Sequence, residues 1–200
     1  MCGVAGFSDR REGAALRIQD MLQVQHHRGP DGQDYFEEPG WGIGVTRLKV
    51  TSPHEDGTQP LWSEDGRFCF VFNGEVYNYR ELRGRLIGNG FRFRTKGDGE
   101  VLFASYLQWG EEAFNKAQGM FAGAIWDSLE KSWLLFRDPA GIKPLYYCSS
   151  PHFFAFASEI KALLPLIPRQ VNHQQVRHYL KHRYVSEGET LFQGIHKVLP

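Results

Sequence analysis

The chain has 200 residues, enough for one domain with a substantial core, and its 42% hydrophobic and 23% charged residues are typical of a globular protein. Its formal net charge is zero, so the composition gives it no general attraction to nucleic acid or to an anionic membrane. Since no apolar run could span a bilayer and the first residues do not resemble a signal peptide, we expect a cytoplasmic protein without a nucleic-acid or membrane partner.

Hydrophobic periodicity and turn residues predict a chain with many strands and a few clustered helices. Because strands and helices do not alternate, this order favours an α+β fold. In chain order the pattern predicts a strand at 2–7, a helix at 14–25, strands at 33–37 and 41–48, a loop at 50–60, a strand at 67–73, helices at 79–87, 100–109 and 111–117, strands at 119–127, 132–137, 144–148 and 153–157, a helix from Ser158 to Leu164 with Ser158 as N-cap, and a last helix capped by Asn172.

The three cysteines are an odd number and form no Cys-x-x-Cys pair, so neither a disulfide framework nor a metal site is expected. Cys69 lies in an apolar run, where cysteine usually acts as a small hydrophobic residue. Cys2 follows Met1 directly, and removal of Met1 would place a thiol and an α-amine on one residue. An α-amine with a pKa of roughly 7.7–8.0 suits a general base for a thiol nucleophile. Taken alone, Cys2 is also consistent with an incidental cysteine.

Two polar motifs each have a structural and a catalytic interpretation. Asn73-Gly74 ends a predicted strand, where it is typical of a turn. The same pair can form an oxyanion hole, since an Asn amide and a Gly backbone N–H can converge on a developing negative charge. Asp98 precedes a predicted helix as a candidate N-cap, or it places a carboxylate where a substrate ammonium binds.

Other motifs are ambiguous or structural when taken singly. Arg47 ends an apolar strand, where it is either a solvated edge residue or a bidentate partner for a carboxylate. The segment 27–31 is interpreted as a loop in which Arg28 can support a site indirectly. The segments 137–147 and 158–163 are interpreted as structural.

As an ordered set, these stretches resemble class II glutamine amidotransferases, in particular the N-terminal glutaminase domain of glutamine-dependent asparagine synthetases. The resemblance covers residues 2 to about 165, and more loosely the segment to 200. It rests on Cys2-Gly3-Val4-Ala5-Gly6-Phe7, Arg28-Gly29-Pro30-Asp31-Gly32, Arg47-Leu48, Phe72-Asn73-Gly74-Glu75-Val76-Tyr77-Asn78, Gly97-Asp98-Gly99-Glu100-Val101, Gly119-Met120-Phe121-Ala122, Arg137-Asp138-Pro139-Ala140-Gly141 and Ala157-Ser158-Glu159.

The resemblance implies an N-terminal-nucleophile hydrolase fold, a four-layer αββα sandwich of two antiparallel sheets. It implies that Cys2 attacks the side-chain amide of L-glutamine and forms a thioester, which water then releases as glutamate. The implied oxyanion hole consists of Asn73 and Gly74. The residues implied to contact glutamine are Arg47 for its α-carboxylate, Asp98 with Glu75 for its α-ammonium, and Leu48, Val50 and Thr51 in the adjoining loop.

Two departures from the family pattern stand out. After Arg47-Leu48 the family usually continues with a Ser-Ile-x-Asp-like segment, whereas this chain has Lys49-Val50-Thr51-Ser52. The Ser-Gly-Gly-x-Asp-Ser phosphate loop of the synthetase part is absent from residues 1–200. We therefore expect a glutaminase domain at 1–165, and a connector with the truncated start of a synthetase domain at 166–200. The resemblance implies no cofactor for this chain, with ATP and Mg expected only in a synthetase domain supplied in cis or in trans.

Other functions remain open at this stage. The same fold could serve as a non-catalytic docking module, although a scaffold has no need of the whole catalytic set. Sugar-phosphate and phosphoribosyl amidotransferases carry Thr-Arg-Trp-Ala-Thr at the arginine, and Thr46-Arg47-Leu48-Lys49-Val50 favours the asparagine synthetase branch instead. That branch also includes enzymes that amidate a sugar or an antibiotic.

Overall fold

The fold is known from a computed structural model that describes residues 1–10, 17–48 and 59–200. The described residues form two antiparallel sheets, one of six strands and one of four. The strands are β1 (Gly3–Asp9), β2 (Gly32–Glu38), β3 (Trp41–Arg47), β4 (Leu61–Trp62), β5 (Phe68–Val76), β6 (Gly119–Asp127), β7 (Ser132–Arg137), β8 (Tyr146–Ser150), β9 (Phe153–Ala157) and β10 (His196–Lys197).

The larger sheet has the order β10-β8-β9-β1-β3-β2, and the smaller has the order β4-β5-β6-β7. β1 is therefore a central strand, paired with β3 on one side and with β9 on the other. The helices are α1 (Ile18–Val24), α2 (Tyr79–Gly88), α3 (Asp98–Trp109), α4 (Glu112–Lys116) and α5 (His173–His182), and 3-10 turns occupy His26–Arg28 and Ile160–Ala162.

Alternation along the strands divides the core into three layers. Val4 and Val45 of the larger sheet meet Val71 of the smaller sheet in an apolar inter-sheet core. Phe70 and the other alternate residues of β5 face α2 and α3 on the outside. The opposite outer core, which includes residues of β1 and β9, packs against α1. The predicted α+β, four-layer αββα arrangement is thus observed, because each sheet buries both of its faces.

Most elements lie where the hydrophobic pattern predicts them, including the hairpin of β2 and β3 and the helices α2 to α4. Asn172 caps α5 as predicted, and its Oδ1 accepts a hydrogen bond from the Gln175 amide at 3.2 Å. The prediction that Ser158 caps a helix to Leu164 is wrong. Ser158 Oγ instead accepts a hydrogen bond from the Val4 amide at 3.0 Å, and the helix is a 3-10 turn over Ile160–Ala162.

The segment after 165 includes a strand that the sequence does not signal. β10 pairs with β8, and the Val198 amide donates to the Leu145 carbonyl at 2.9 Å. Two residues are too few for a periodic pattern, so such a strand is invisible to sequence reasoning. The proposed division of the chain at residue 165 stays a prediction.

Candidate functional site

Cys2 lies at the start of β1, beside the end of β3. Gly3 is paired with Thr46, so Cys2 is next to the segment that leaves β3. The Leu48 amide donates to Cys2 Sγ at 3.4 Å, and Cys2 Sγ lies 3.9 Å from the Leu48 carbonyl oxygen. The side chain is half-buried and packs against the inter-sheet core. This environment holds a cysteine at the edge of an apolar core, with one backbone donor directed at its sulfur.

The peptide bond that follows Cys2 is held at both of its polar atoms. Arg28 Nε donates to the Cys2 carbonyl at 3.0 Å, and the Gly3 amide donates to Thr46 Oγ1 at 3.1 Å. Gly29 allows this approach, because a Cβ there would overlap the backbone where Thr46 joins Arg47. The indirect role expected of Arg28 therefore has a direct geometric basis.

Asn73 and Gly74 lie inside β5, so the interpretation of this pair as a turn is wrong. Asn73 is opposite Ala122 in the ladder and faces the inter-sheet core, as Val71 does. It is 2% exposed, and its Nδ2 has no hydrogen-bond partner among the residues that the structure describes. A buried amide donor without a partner costs about 1–3 kcal/mol, and a ligand oxygen would remove that cost.

The backbone amide of Gly74 points away from β6. Phe121 lies opposite Gly74, but its amide donates to Asp138 Oδ2 at 3.2 Å and its carbonyl accepts from the Asp138 amide. On the open edge of β5, the Phe72 amide donates to Gln59 Oε1 at 2.6 Å and the Val76 amide to Asp98 Oδ2 at 2.8 Å.

Gly74 therefore lies between two occupied edge amides, and no described residue accepts its own. A Cβ at Gly74 would overlap the Met120 carbonyl and lie 2.6 Å from Phe121 Cα. Glycine is thus required for close packing here. The Gly74 N–H and the Asn73 Nδ2 belong to adjacent residues, which makes them a candidate donor pair for an oxyanion.

Asp98 is the first residue of α3, and Gly97 is its N-cap. The predicted capping role of Asp98 is therefore wrong, and its carboxylate instead binds the edge of β5 through Val76. Burial raises the pKa of Asp98 above its ordinary value, the charge of Glu75 adds to the increase, and backbone amides offset only part of it. Two neighbouring carboxylates without a described cationic partner form a suitable place for an ammonium group.

The remaining predicted contact residues follow Cys2 on the neighbouring strand. Arg47 is the last residue of β3 and is half-buried, and Leu48 is the residue whose amide contacts the thiol. Val50 and Thr51 lie outside the described residues. The structure thus brings Arg47 and Leu48 to Cys2.

The thiol and the candidate donors border the same inter-sheet core from opposite sheets. Cys2 and Val4 lie on one side, and Val71 and Ala122, the neighbours of Asn73, lie on the other. Glu75 and Asp98 continue the second group along β5.

Two residues that organise the site were given no role of their own by the sequence. The Gln59 side chain bonds both backbone groups of Phe72, since its Oε1 accepts from the amide and its Nε2 donates to the carbonyl at 3.1 Å. Thr46 is fully buried and binds the Gly3 amide. Neither belongs to a repeated pattern or a turn motif, so only the three-dimensional pairing identifies them.

Within residues 1–10, 17–48 and 59–200, no three His, Cys, Asp or Glu side chains are grouped so that they could hold a metal ion. In the same ranges, the helices are too short or too polar for any one of them to cross a membrane. The features that the structure describes at the site are a thiol, the donors of Asn73 and Gly74, and a carboxylate pair.

Comparison with known proteins gives this arrangement a family. A family model described as a glutamine amidotransferase domain matches residues 1–200. The chain is 39% identical over 206 residues to asparagine synthetase [glutamine-hydrolyzing] 1 of Bacillus subtilis, covering 100% of this chain and 32% of that protein. It is 34% identical over 170 residues to asparagine synthetase B [glutamine-hydrolyzing] of Escherichia coli, covering 83% of this chain and 30% of that protein.

A solved structure with the same fold is glutamine phosphoribosylpyrophosphate amidotransferase of B. subtilis. It matches with a TM-score of 0.65 and 22% identity, over 81% of this chain and 43% of that one. The chain is also 30% identical to amidase chyE of Penicillium rubens, covering 100% of this chain and 31% of that protein. The chain thus spans about a third of the length of the curated relatives that it matches.

Proposed function

Since the chain belongs to the glutamine amidotransferase domain family and has its N-terminal-nucleophile hydrolase fold, we propose that it hydrolyses the side-chain amide of L-glutamine at Cys2. The observation that carries the proposal is the buried, unpartnered Nδ2 of Asn73, next to a Gly74 amide directed away from β6, at the edge of the core against which Cys2 packs. Such donors are costly in a scaffold and useful in a site that stabilises an oxyanion.

In the proposed reaction, removal of Met1 frees the α-amine of Cys2. The amine takes the thiol proton as the sulfur attacks the amide carbon of glutamine. Asn73 and Gly74 donate to the oxyanion of the tetrahedral intermediate. The C–N bond then breaks, the amine returns the proton to the departing ammonia, and a γ-glutamyl thioester remains. Attack by water on this thioester, with the amine again as base, releases glutamate and restores the thiol.

Recognition of glutamine is proposed to use both ends of its amino-acid group. Arg47 offers a planar fork to the α-carboxylate. Asp98 and Glu75 receive the α-ammonium, which would neutralise the carboxylate pair. Leu48, Val50 and Thr51 are further residues proposed to contact the glutamine.

The ammonia is proposed to serve an ATP-dependent amidation in a synthetase domain, supplied in cis or in trans, where ATP and Mg would bind. The relatives named asparagine synthetases favour aspartate as the acceptor. Because one relative is named an amidase, a different acceptor, such as a sugar or an antibiotic, is the alternative. A docking module without activity is the rival function, and the unpartnered donors of β5 argue against it.

The first experiment is intact mass after reaction with 6-diazo-5-oxo-norleucine, a glutamine-like electrophile, on protein whose N-terminus has been sequenced. We expect one adduct, on Cys2, in chains that begin at Cys2. The Cys2→Ala variant should lose both the adduct and glutamine hydrolysis. Cys69→Ala is a matched control, because Cys69 is fully buried and burial raises the pKa of its thiol.

A chain that begins at Cys2, remains unlabelled and releases no glutamate would contradict the proposal and favour the docking module. Hydrolysis that persists in Cys2→Ala would remove Cys2 from the chemistry.

A further inference from the structure

We propose that Glu159 is a positioning residue for the nucleophile and acts through Arg28 on the Cys2 carbonyl. The proposal rests on the proposed function of Cys2. It involves two segments that sequence reasoning treats as structural, the loop at 27–31 and the segment after β9. The side chains concerned are His27, Arg28, Glu159 and Lys161, which we call the Glu159 cluster.

Three nitrogen donors contact the Glu159 carboxylate in this cluster. Its Oε1 accepts from Arg28 Nη1 at 3.1 Å and from His27 Nε2 at 2.8 Å. Its Oε2 lies 3.2 Å from Lys161 Nζ. Of the three donors, Arg28 is the one that continues to the nucleophile, since its Nε donates to the Cys2 carbonyl at 3.0 Å. One carboxylate thus fixes the guanidinium that fixes the backbone of Cys2.

The register of β1 explains why Glu159 lies here. Ala5 is paired with Ala157, and Ser158 continues the pairing through hydrogen bonds to both backbone groups of Val4. The next residue, Glu159, therefore emerges level with the residues before Val4. Cys2 and Glu159 lie far apart in the chain, and the pairing of β1 with β9 brings them together.

The guanidinium of Arg28 depends on this carboxylate. The Arg28 side chain is 10% exposed, and its Nη2 is buried without a hydrogen-bond partner among the described residues. A buried cation without its anion has a high free energy, so the side chain moves toward solvent when its partner is removed. Burial acts to raise the pKa of Glu159, but hydrogen bonds from Arg28, His27 and Lys161 outweigh it and leave the pKa below its ordinary value. Glu159 is therefore ionised at neutral pH.

Hydrogen bonds fix the Cys2–Gly3 peptide plane, which is the part of the backbone directly next to the thiol and the α-amine of Cys2. The Cys2 carbonyl and the Gly3 amide belong to one rigid plane, so Arg28 and Thr46 together set its orientation. Once Met1 is removed, no residue precedes Cys2 to restrain its amine. A released carbonyl would let the amine and thiol turn away from the oxyanion donors. Misplacement by about 1 Å costs on the order of 100-fold in rate.

The test compares Glu159→Gln with a matched ion pair at the other end of β5. Arg67 binds Asp127 at 2.7 Å, and Asp127 faces Phe68 rather than Asn73 in the ladder. We expect Glu159→Gln to lower kcat for glutamine hydrolysis roughly 10- to 100-fold with little change in KM, and to slow labelling by the diazo-ketone in parallel. Asp127→Asn should keep the wild-type kcat even where urea denaturation shows an equal loss of stability. Glu159→Asp should recover part of the rate.

A double-mutant cycle with Arg28→Met separates positioning from stability. If Glu159 acts through Arg28, adding Glu159→Gln to Arg28→Met should cause little further loss of kcat. Wild-type kcat in Glu159→Gln, equal losses in Asp127→Asn, or additive losses in the cycle would each overturn the proposal. If the wild-type chain itself is neither labelled nor active, the proposed function fails and this inference fails with it. Normal labelling in both wild type and Glu159→Gln would overturn only the inference.

Discussion

Two buried polar clusters flank the same residue of β6 and treat hydrogen bonding in opposite ways. Phe121 lies opposite Gly74 on one side and binds Asp138 on the other. On the Asp138 side, the fully buried carboxylate accepts from the amides of Phe121, Ile142 and Lys143 at 2.9–3.2 Å. On the Gly74 side, Asn73 Nδ2 has no partner among the described residues, and the Gly74 amide points away from β6.

Arg137 completes the satisfied cluster. Its guanidinium donates to the carbonyls of Lys143 and Val198 at 2.6 and 2.7 Å, and to that of Gly141. Asn73 and Asp138 are both buried and each lies near a half-buried glycine, so composition alone does not separate the two clusters. We interpret the satisfied Asp138 cluster as structural and the unpartnered Asn73 donor as consistent with the proposed oxyanion site. The ring nitrogens of Trp126 and Trp133 also have no described partner, so a missing partner does not by itself identify a ligand site.

We expect the largest loss of stability from a mutation in the Asp138 cluster, where the hydrogen-bonding groups are satisfied. Asp138→Ala removes the acceptor shared by three amides and leaves the buried amides of Phe121 and Lys143 unpartnered, so we expect the free energy of unfolding to fall by about 3–5 kcal/mol. Urea denaturation measures this loss, and Ser132→Ala, at an exposed position of β7, is the control. A loss below about 1 kcal/mol would contradict the structural role of the cluster.

At Asn73, we expect a mutation to lower the rate of catalysis rather than the stability of the fold. Asn73→Ala removes a buried donor that has no described partner, so the free energy of unfolding should stay unchanged or rise, by up to about 1–3 kcal/mol. The kcat for glutamine hydrolysis should fall roughly 10²- to 10³-fold if Asn73 stabilises the oxyanion. A change confined to KM would indicate ground-state binding, and a large loss of stability would show that the contrast between the two clusters is false.

A smaller effect tests the ammonium site at Asp98. Burial raises the Asp98 pKa, so the free protein binds this proton more tightly than the unfolded chain does, and its stability contribution falls as pH rises through the folded pKa. The ionised form binds the glutamine ammonium, so KM should rise as pH falls through the raised pKa.

Asp98→Asn should remove this pH dependence and raise KM roughly 10- to 100-fold at neutral pH, the worth of a hydrogen bond to a charged group. The same change should make the glutamine-free protein more stable at neutral pH. KM that still follows the wild-type pH profile in Asp98→Asn would exclude Asp98 from ammonium binding.

The layered fold follows largely from local pattern. Alternation along 67–73 separates Phe70, which faces α3, from Val71, which faces the other sheet, so a two-sided buried strand is predictable. The family resemblance supplied the candidate residues, and the structure brings Arg47 and Leu48 to Cys2. Roles for individual residues stay predictions until activity is measured.

What the sequence misses are polar groups whose partners lie far along the chain. Asn73-Gly74 has the local preference of a turn, yet pairing with β6 carries β5 through it to Val76. Ser158 has the preference of a cap, but it bonds Val4 instead. In each case tertiary pairing outweighs a local propensity worth about 1 kcal/mol, and no local pattern contains the partner.

The central place of β1 also has a consequence for the order of events during synthesis. β1 pairs with β9, whose residues Phe153–Ala157 leave the ribosome long after Cys2 does. One side of β1 can pair early with β3, but its other side stays open until β9 has been made, because pairing across such a separation has to await the later strand. Glu159, which binds Arg28, follows β9 in the chain and is made later still. The strand that begins beside Cys2 is therefore complete on both sides only late in folding, whereas Met1 is 57% exposed even in the folded structure.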